Sequence, residues 1–252
     1  MGGHIDLYLD VASLYSYIAF VQVIKIQNVL KQHSVGIDIT HCVPALLTPN
    51  PGNKPPWTLP AKAVYGTFDT QRSLRAVGLP NLTPPGDLMQ AGRTPVPLRA
   101  LLYIKSRHPG DTYLRTWRAL LHAFWELHRP PITPDALRET LAGIPADLNL
   151  AGDVGTSAEG GNRLFSDAEI DEILKAEKSD ECKAKLRETT QKALDQGAFG
   201  APWMWATDAK TGRSEPFFGS DRWSHVYAFL GLPYRDVELL PPGNAKGSES
   251  KL

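Results

Sequence analysis

Ile5-Asp6-Leu7-Tyr8-Leu9-Asp10 alternates apolar and polar side chains, the period of a β-strand. A short turn, Ala12-Ser13-Leu14-Tyr15, follows it. Ile18, Ala19, Val21, Ile24, Ile26 and Val29 then recur on a broad helical face as far as about Gln32. Val35, Ile37 and Ile39 alternate again and predict a second strand through Val43. A crossover of this size favours parallel pairing of the two strands, so the chain opens as a βαβ unit.

At the other end, Trp203, Trp205 and Thr207 alternate with Met204 and Ala206, and Lys210-Thr211-Gly212-Arg213 reads as a turn. Glu215 to Phe218 is the expected returning strand, and Ser220-Asp221 is expected to begin a helix through Leu230. Between these ends the period is helical from Ala61 to Asp195. Tyr113 to His128 is the clearest segment, with Leu114, Trp117, Leu121 and Phe124 on one face and Pro130-Pro131 expected to stop it. Thr133 and Ser166 read as N-caps, the latter with Glu169 in a capping box. A further helix is expected over about 180–195, stopping at Gly197. Two segments are loops. The span Pro44 to Pro60 holds six prolines, which bars both helix and central strand. The Gly-rich stretch 152–161 reads as a surface loop or lid.

The 252 residues carry 27 basic and 27 acidic side chains, for a formal net charge of zero. That balance argues against a nucleic-acid binder, which carries a basic excess. With 42% hydrophobic residues the chain is also not a disordered one. Cys42 and Cys182 form no metal spacing, redox pair or disulfide framework. No apolar stretch reaches the length of a membrane span, and the first ten residues lack a secretory signal. The final Ser250-Lys251-Leu252, after a polar, Pro- and Gly-containing tail, reads as the peroxisomal address taken by an import receptor.

The order βαβ, helices, ββα is that of a thioredoxin-like sheet with an all-helical domain inserted. Thioredoxin-like redox proteins carry Cys-x-x-Cys at the junction of the first strand and helix; here Ser13-Leu14-Tyr15-Ser16 stands there. Thiol–disulfide exchange needs a protein thiolate, so redox chemistry at this turn is excluded. A hydroxyl at a helix N-terminus can still donate to a thiolate brought by a ligand, beside the helix's free N–H groups. By itself, Ser13 or Ser16 is equally well an N-cap. Ala201-Pro202 suits the fold's cis-proline, where the preceding backbone pairs with a peptide; an ordinary proline at a strand start is the plainer reading. Ser220 with the N–H groups behind it can hold a carboxylate and Asp221 an ammonium, or the two can simply open a helix.

The chain resembles kappa-class glutathione transferases over nearly its whole length. The likeness is strongest at Asp10-Val11-Ala12-Ser13-Leu14-Tyr15-Ser16, Gly52-Asn53-Lys54-Pro55-Pro56, Lys185-Leu186-Arg187-Glu188-Thr189-Thr190, Gly197 to Pro202, and Phe218-Gly219-Ser220-Asp221-Arg222. The resemblance implies that Ser13 activates the thiol of glutathione, the co-substrate, with no metal. It implies that Asn53 and Lys62 lie near the glycyl end, Ala201 and Pro202 at the cysteinyl part, and Ser220 and Asp221 at the γ-glutamyl end. Tyr15 joins this glutathione-binding set, and its phenol competes with Ser13 for the sulfur. Leu14 replaces the family's usual proline, and Ala201 is smaller than the usual aliphatic residue.

The resemblance further implies a homodimer in peroxisomes or mitochondria, with a cytosolic pool also open, acting on a hydrophobic electrophile or a peroxide. Residues 1–60 with 197–252 would form the glutathione-binding domain, and 61–196 the inserted helical one. Two other readings stand beside the transferase: a glutathione-dependent isomerase of the related 2-hydroxychromene-2-carboxylate type, and a non-catalytic thiol-peptide-binding protein.

Overall fold

The structure, a computed structural model, describes residues 2–42, 58–79, 82–151 and 162–235. Asn53, the 152–161 stretch and the terminal Ser250-Lys251-Leu252 lie outside them.

The opening unit forms as the periodicity requires. Strand β1 (Gly3–Leu9) leads through helix α1 (Leu14–Gln32) to β2 (Val35–His41), which pairs with β1 in parallel. The β2 strand stops at His41, short of the expected Val43. The alternation in β1 also fails beyond Leu7. Tyr8 is as fully buried as Ile5, Leu7 and Leu9, because the strand is central and covered on both faces. Tyr8 packs with Cys42, Ala193, Ala198 and Trp203, while Ile5, Leu7 and Leu9 face the main core.

Strand β3 (Trp203–Asp208) lies antiparallel beside β1, and β4 (Ser214–Phe218) beside β3, giving the order β2-β1-β3-β4. The backbones of β1 and β3 come very close at Gly3, where a Cβ would sit 2.4 Å from the Thr207 carbonyl oxygen.

The inserted segment runs α2 (Pro60–Val77), α3 (Leu88–Ala91), α4 (Pro95–Arg107), α5 (Gly110–Trp125), α6 (Pro134–Ala142), α7 (Asp167–Glu177) and α8 (Asp180–Asp195). Thr133 caps α6 and accepts from Ala136 N, and the Ser166–Glu169 capping box opens α7. Apolar faces of α4, α5, α6 and α7, among them Leu98, Trp117, Leu137 and Ile170, join the β1 residues in one apolar core.

Two helix ends differ from expectation. Helix α5 ends at Trp125, five residues before Pro130, so proline does not stop it. Arg129 N bonds back to Ala123 O at 2.8 Å and His128 takes a positive φ of 53°, closing the end with a left-handed residue. Leu127, beyond the helix end, is exposed. The final helix α9 spans Trp223–Phe229, so Ser220 and Asp221 lie in the turn before it.

Candidate active site

The turn between β1 and α1 is held from every side. Asp10 is 2% exposed, and its carboxylate accepts from Ala12 N at 3.1 Å and from the Thr94 hydroxyl at 2.6 Å. Its carbonyl accepts from Ser13 N at 3.2 Å, and its own N–H donates to the buried Ser16 hydroxyl at 3.2 Å. Trp125 Nε1 donates to Val11 O at 2.9 Å. Burial raises the Asp10 carboxyl to about 7 against the lowering influence of Thr94 and the local amides. Ser16 is thus a buttress of the turn.

Ser13 is the N-cap of α1 and accepts from Ser16 N at 3.1 Å. The cap is only half of its role. Its hydroxyl donates to the Ala201 carbonyl oxygen at 2.9 Å, 188 positions along the chain. The Ala201–Pro202 peptide bond is cis, and Pro202 O in turn accepts from Gly219 N at 3.1 Å. One continuous path therefore joins Ser13, Ala201-Pro202 and the Gly219-Ser220-Asp221 turn. The first turn of α1 carries no acidic residue, and the Leu14 and Tyr15 amides have no acceptor among the described residues. The end of α1 is therefore a positive, hydrogen-bond-donating surface.

In the second turn, Gly219 has φ 105°, and a Cβ there would lie 2.7 Å from Asp221 Oδ1. Ser220 is buried, whereas Asp221 is exposed and pairs with Arg222 at 2.9 Å. Lys62 lies in the first turn of α2, exposed. Tyr15 points away from Ser13 in bonding terms: its hydroxyl donates to Asp69 of α2. Burial, then Asp69, pushes that phenol up to about 12.

Two features have no counterpart in the motifs. Tyr17 on α1 bonds Arg118 of α5 and Glu126 at its C-cap, and Arg118 and Glu126 also pair at 2.9 Å. Burial raises the Glu126 carboxyl, but hydrogen bonds from His122, Tyr17 and Arg118 outweigh it and hold the group at about 2. This network fixes α1 against α5. No short-range spacing announces it, since its partners are more than a hundred residues apart. His41, fully buried, stacks on Trp117 at 5.5 Å, and burial, then Lys105, lowers its pKa well below the usual value. Both cysteines are free and buried, and burial, then Asp10, raises the Cys42 thiol well above the usual range. Burial keeps both sulfurs from solvent.

No protein-family model matches the chain. The chain is 29% identical over 235 residues to "Glutathione s-transferase kappa 2" of Caenorhabditis elegans, covering 92% of this chain and 93% of the relative. Among solved structures, a 2-hydroxychromene-2-carboxylate isomerase superposes with a TM-score of 0.60 at 19% identity, covering 90% of this chain and 94% of the other. A probable DsbA oxidoreductase from Streptomyces coelicolor superposes at 0.57 with 15% identity, covering 95% and 94%. The chain is therefore similar to kappa-class glutathione transferases along about nine tenths of its length, on a DsbA-like thioredoxin fold with a helical insertion.

Proposed function

We propose that the chain is a glutathione transferase in which Ser13 stabilises the glutathione thiolate for attack on an electrophile. The observation that carries this is the bond between the Ser13 hydroxyl and the Ala201 carbonyl at 2.9 Å. The two groups that hold each other are the two that the tripeptide needs. A cysteinyl N–H takes the Ala201 carbonyl, as an added strand would. The released Ser13 proton turns to the sulfur beside it. A neutral hydrogen bond is thereby exchanged for a charge-assisted one, about twice as strong.

A free thiol has a pKa of about 8.5, so little thiolate exists at neutral pH. The donor hydroxyl, the free Leu14 and Tyr15 amides and the acid-free first turn all favour the anion. The thiol proton leaves to solvent as the complex forms. With an aryl halide, the C–S bond forms, the carbon–halogen bond breaks and halide departs. With a hydroperoxide, the thiolate takes the terminal oxygen to give the sulfenic acid as the O–O bond breaks, and the other oxygen takes a proton from solvent and leaves as the alcohol; a second glutathione then attacks the sulfenic sulfur, water departs and the disulfide forms.

In this reading residues 1–60 and 197–252 hold glutathione, with Lys62 reaching it from the inserted segment, and the rest of 61–196 shapes the acceptor side. Lys62 and Asn53 take the glycyl carboxylate, and Ser220 and Asp221 the γ-glutamyl end. Val64, Tyr65 and Phe68, large and exposed on α2, support a homodimer. Ser250-Lys251-Leu252 is proposed to direct the chain to peroxisomes; a tagged chain lacking these three residues should stay in the cytosol. The test of the activity is conjugation of 1-chloro-2,4-dinitrobenzene with and without glutathione. Turnover that consumes glutathione supports the transferase. Isomerisation of a chromene carboxylate without net consumption supports the isomerase, and no turnover of either kind supports a binding protein.

A further inference from the structure

An open cleft of about 970 Å³ is formed by α3, its connection to α4, the start of α4 and the first half of α8. That volume is at the upper end for a small-molecule site. Its walls combine apolar surface, notably Met89 and Leu186, with four cations, Arg93, Arg99, Lys183 and Arg187; Asp87 is the acidic residue of the lining. In a chain of zero net charge this is a marked local excess.

The cations differ in what they have left to offer. Arg99 donates twice to the buried Glu177, at 2.9 and 3.2 Å, and Lys183 pairs with Asp180 at 3.0 Å. The Asp87 carboxylate caps α3 by accepting from Gln90 N. Arg93 and Arg187 have no ion pair among the described residues, and both are exposed. Two guanidiniums on the rim of an apolar cleft present donors and positive potential to an incoming anion.

The cleft is also joined to the chemistry. Thr94, between the lining residues Arg93 and Pro95, donates to Asp10 at 2.6 Å, and the Asp10 carbonyl accepts from Ser13 N. The position of Arg93 is thereby fixed relative to the thiolate site.

We propose that this cleft is the acceptor subsite and that Arg93 and Arg187 select electrophiles carrying a carboxylate on an apolar body. The inference rests on the transferase reading and adds the substrate class. The apolar body lies against Met89 and Leu186, the carboxylate meets the two guanidiniums, and the reactive carbon faces the sulfur. The reaction is the substitution described above, with halide leaving.

The probes are 4-fluoro-3-nitrobenzoate and its neutral isostere 4-fluoro-3-nitrobenzamide. Each rate is divided by the uncatalysed rate with glutathione, which removes their difference in intrinsic reactivity. The native protein should favour the benzoate by roughly 10–150-fold in kcat/KM, the worth of a hydrogen bond to a charged group. In the double variant Arg93→Ala/Arg187→Ala the ratio should fall to near one. Arg93→Lys/Arg187→Lys should restore part of it, as a merely structural role would not. Independently of turnover, unreactive 3-nitrobenzoate should bind the native protein and lose roughly tenfold or more of its affinity in the alanine variant.

A native ratio near one overturns the proposal, as does failure of 3-nitrobenzoate to bind. A rise in KM for glutathione with an unchanged ratio also overturns it, because the cleft would then hold the tripeptide's own carboxylate. If no halide is conjugated but 3-nitrobenzoate binding still depends on the two arginines, the transferase reading fails and the anion subsite stands.

Discussion

The Asp10–Ser16 turn and the Gly219–Arg222 turn lie on one hydrogen-bonded path, yet they are built in opposite ways. In the first, Asp10 and Ser16 are buried, Ser16 and Trp125 bond the backbone, and Thr94 holds the Asp10 carboxyl. In the second, the charged groups stand in water: the Asp221 side chain is 70% exposed, and its partner Arg222 is 47% exposed. An exposed ion pair adds little stability, so Asp221 is held loosely and can exchange Arg222 for another cation. Chemistry at sulfur needs a donor fixed to within a fraction of an ångström, whereas an anchor remote from the reaction needs only charge. The rigid turn should therefore govern turnover and the loose one affinity.

The largest effect expected from this division is at Ser13. Ser13→Ala removes the donor to the thiolate and the cap of α1, but not the amides of Leu14 and Tyr15. Turnover should fall by roughly one to three orders of magnitude, the range for losing one electrostatic stabiliser. The Michaelis constant for glutathione should change little, and the thiolate absorbance of bound glutathione at neutral pH should disappear. If Ser13→Ala raises the Michaelis constant and spares turnover, the division of labour is reversed.

The next effect lies on stability and belongs to the rigid turn alone. The Asp10 carboxyl is raised to about 7 in the folded chain, above its ordinary value near 3.9 in the unfolded one. The folded state therefore holds this proton more tightly. Its contribution is full below the unfolded pKa and is lost as pH rises through about 7. Between pH 5 and pH 8 the loss is about 2–3 kcal/mol. His41, neutral and buried, acts in the opposite sense, losing stability as pH falls below about 6.5. The readout is thus the difference between the native chain and Asp10→Asn in urea melts across this range. The asparagine variant should lack the decline toward pH 8, and parallel curves for the two proteins would refute the buried-carboxyl account.

The loose turn is tested by Asp221→Ala. Hydrogen bonds to charged groups contribute ~1.5–3 kcal/mol, so the Michaelis constant for glutathione should rise roughly 10–150-fold. Because the group meets the ammonium and not the sulfur, ground and transition states lose equally, and kcat should hold. An unchanged Michaelis constant would remove Asp221 from the site.

How much of this was legible in the sequence follows the range of the interactions. The βαβ opening, the ββα close, and the caps at Thr133 and Ser166 depend on neighbours within a few residues; the caps form where local pattern places them, and the opening and close form in the expected order, with β2 ending at His41 and the last helix beginning at Trp223. The stop of α5 at Trp125 was not legible, because Glu126 is drawn to Arg118 and Tyr17 and His128 takes a left-handed conformation that proline spacing does not signal. The burial of Tyr8 was equally hidden, since only the packing of Ala193 and Trp203 on the second face of the sheet creates it. At the site, the motifs pointed to Ser13 and Ala201 separately; that they bond each other is a tertiary fact. The cleft was missed because Arg93, in the α3–α4 connection, and Arg187, on α8, lie far apart in the chain, and only the fold brings them to one cleft.

The smallest effect should come from Tyr15, the competing candidate for the sulfur. Its position two residues from Ser13 makes both readings open on sequence grounds. In the fold its hydroxyl is a donor to Asp69, and a phenol has one proton to give. To reach a thiolate it would have to leave a carboxylate that already takes that proton in a half-buried, charge-assisted bond. Ser13 faces a smaller obstacle, because it leaves only a neutral carbonyl whose place the tripeptide's own N–H takes. Tyr15→Phe should therefore keep the thiolate absorbance, and its main cost should be the loosened contact between α1 and α2. Losing the hydrogen bond to Asp69 should lower stability by about 1–3 kcal/mol, read as a shift in the urea midpoint. Glutathione affinity should weaken by no more than a few-fold, through the ring's position rather than its hydroxyl. If instead Tyr15→Phe abolishes the thiolate absorbance while Ser13→Ala retains it, the donor is the phenol, and the buried turn serves to place Tyr15 and not Ser13.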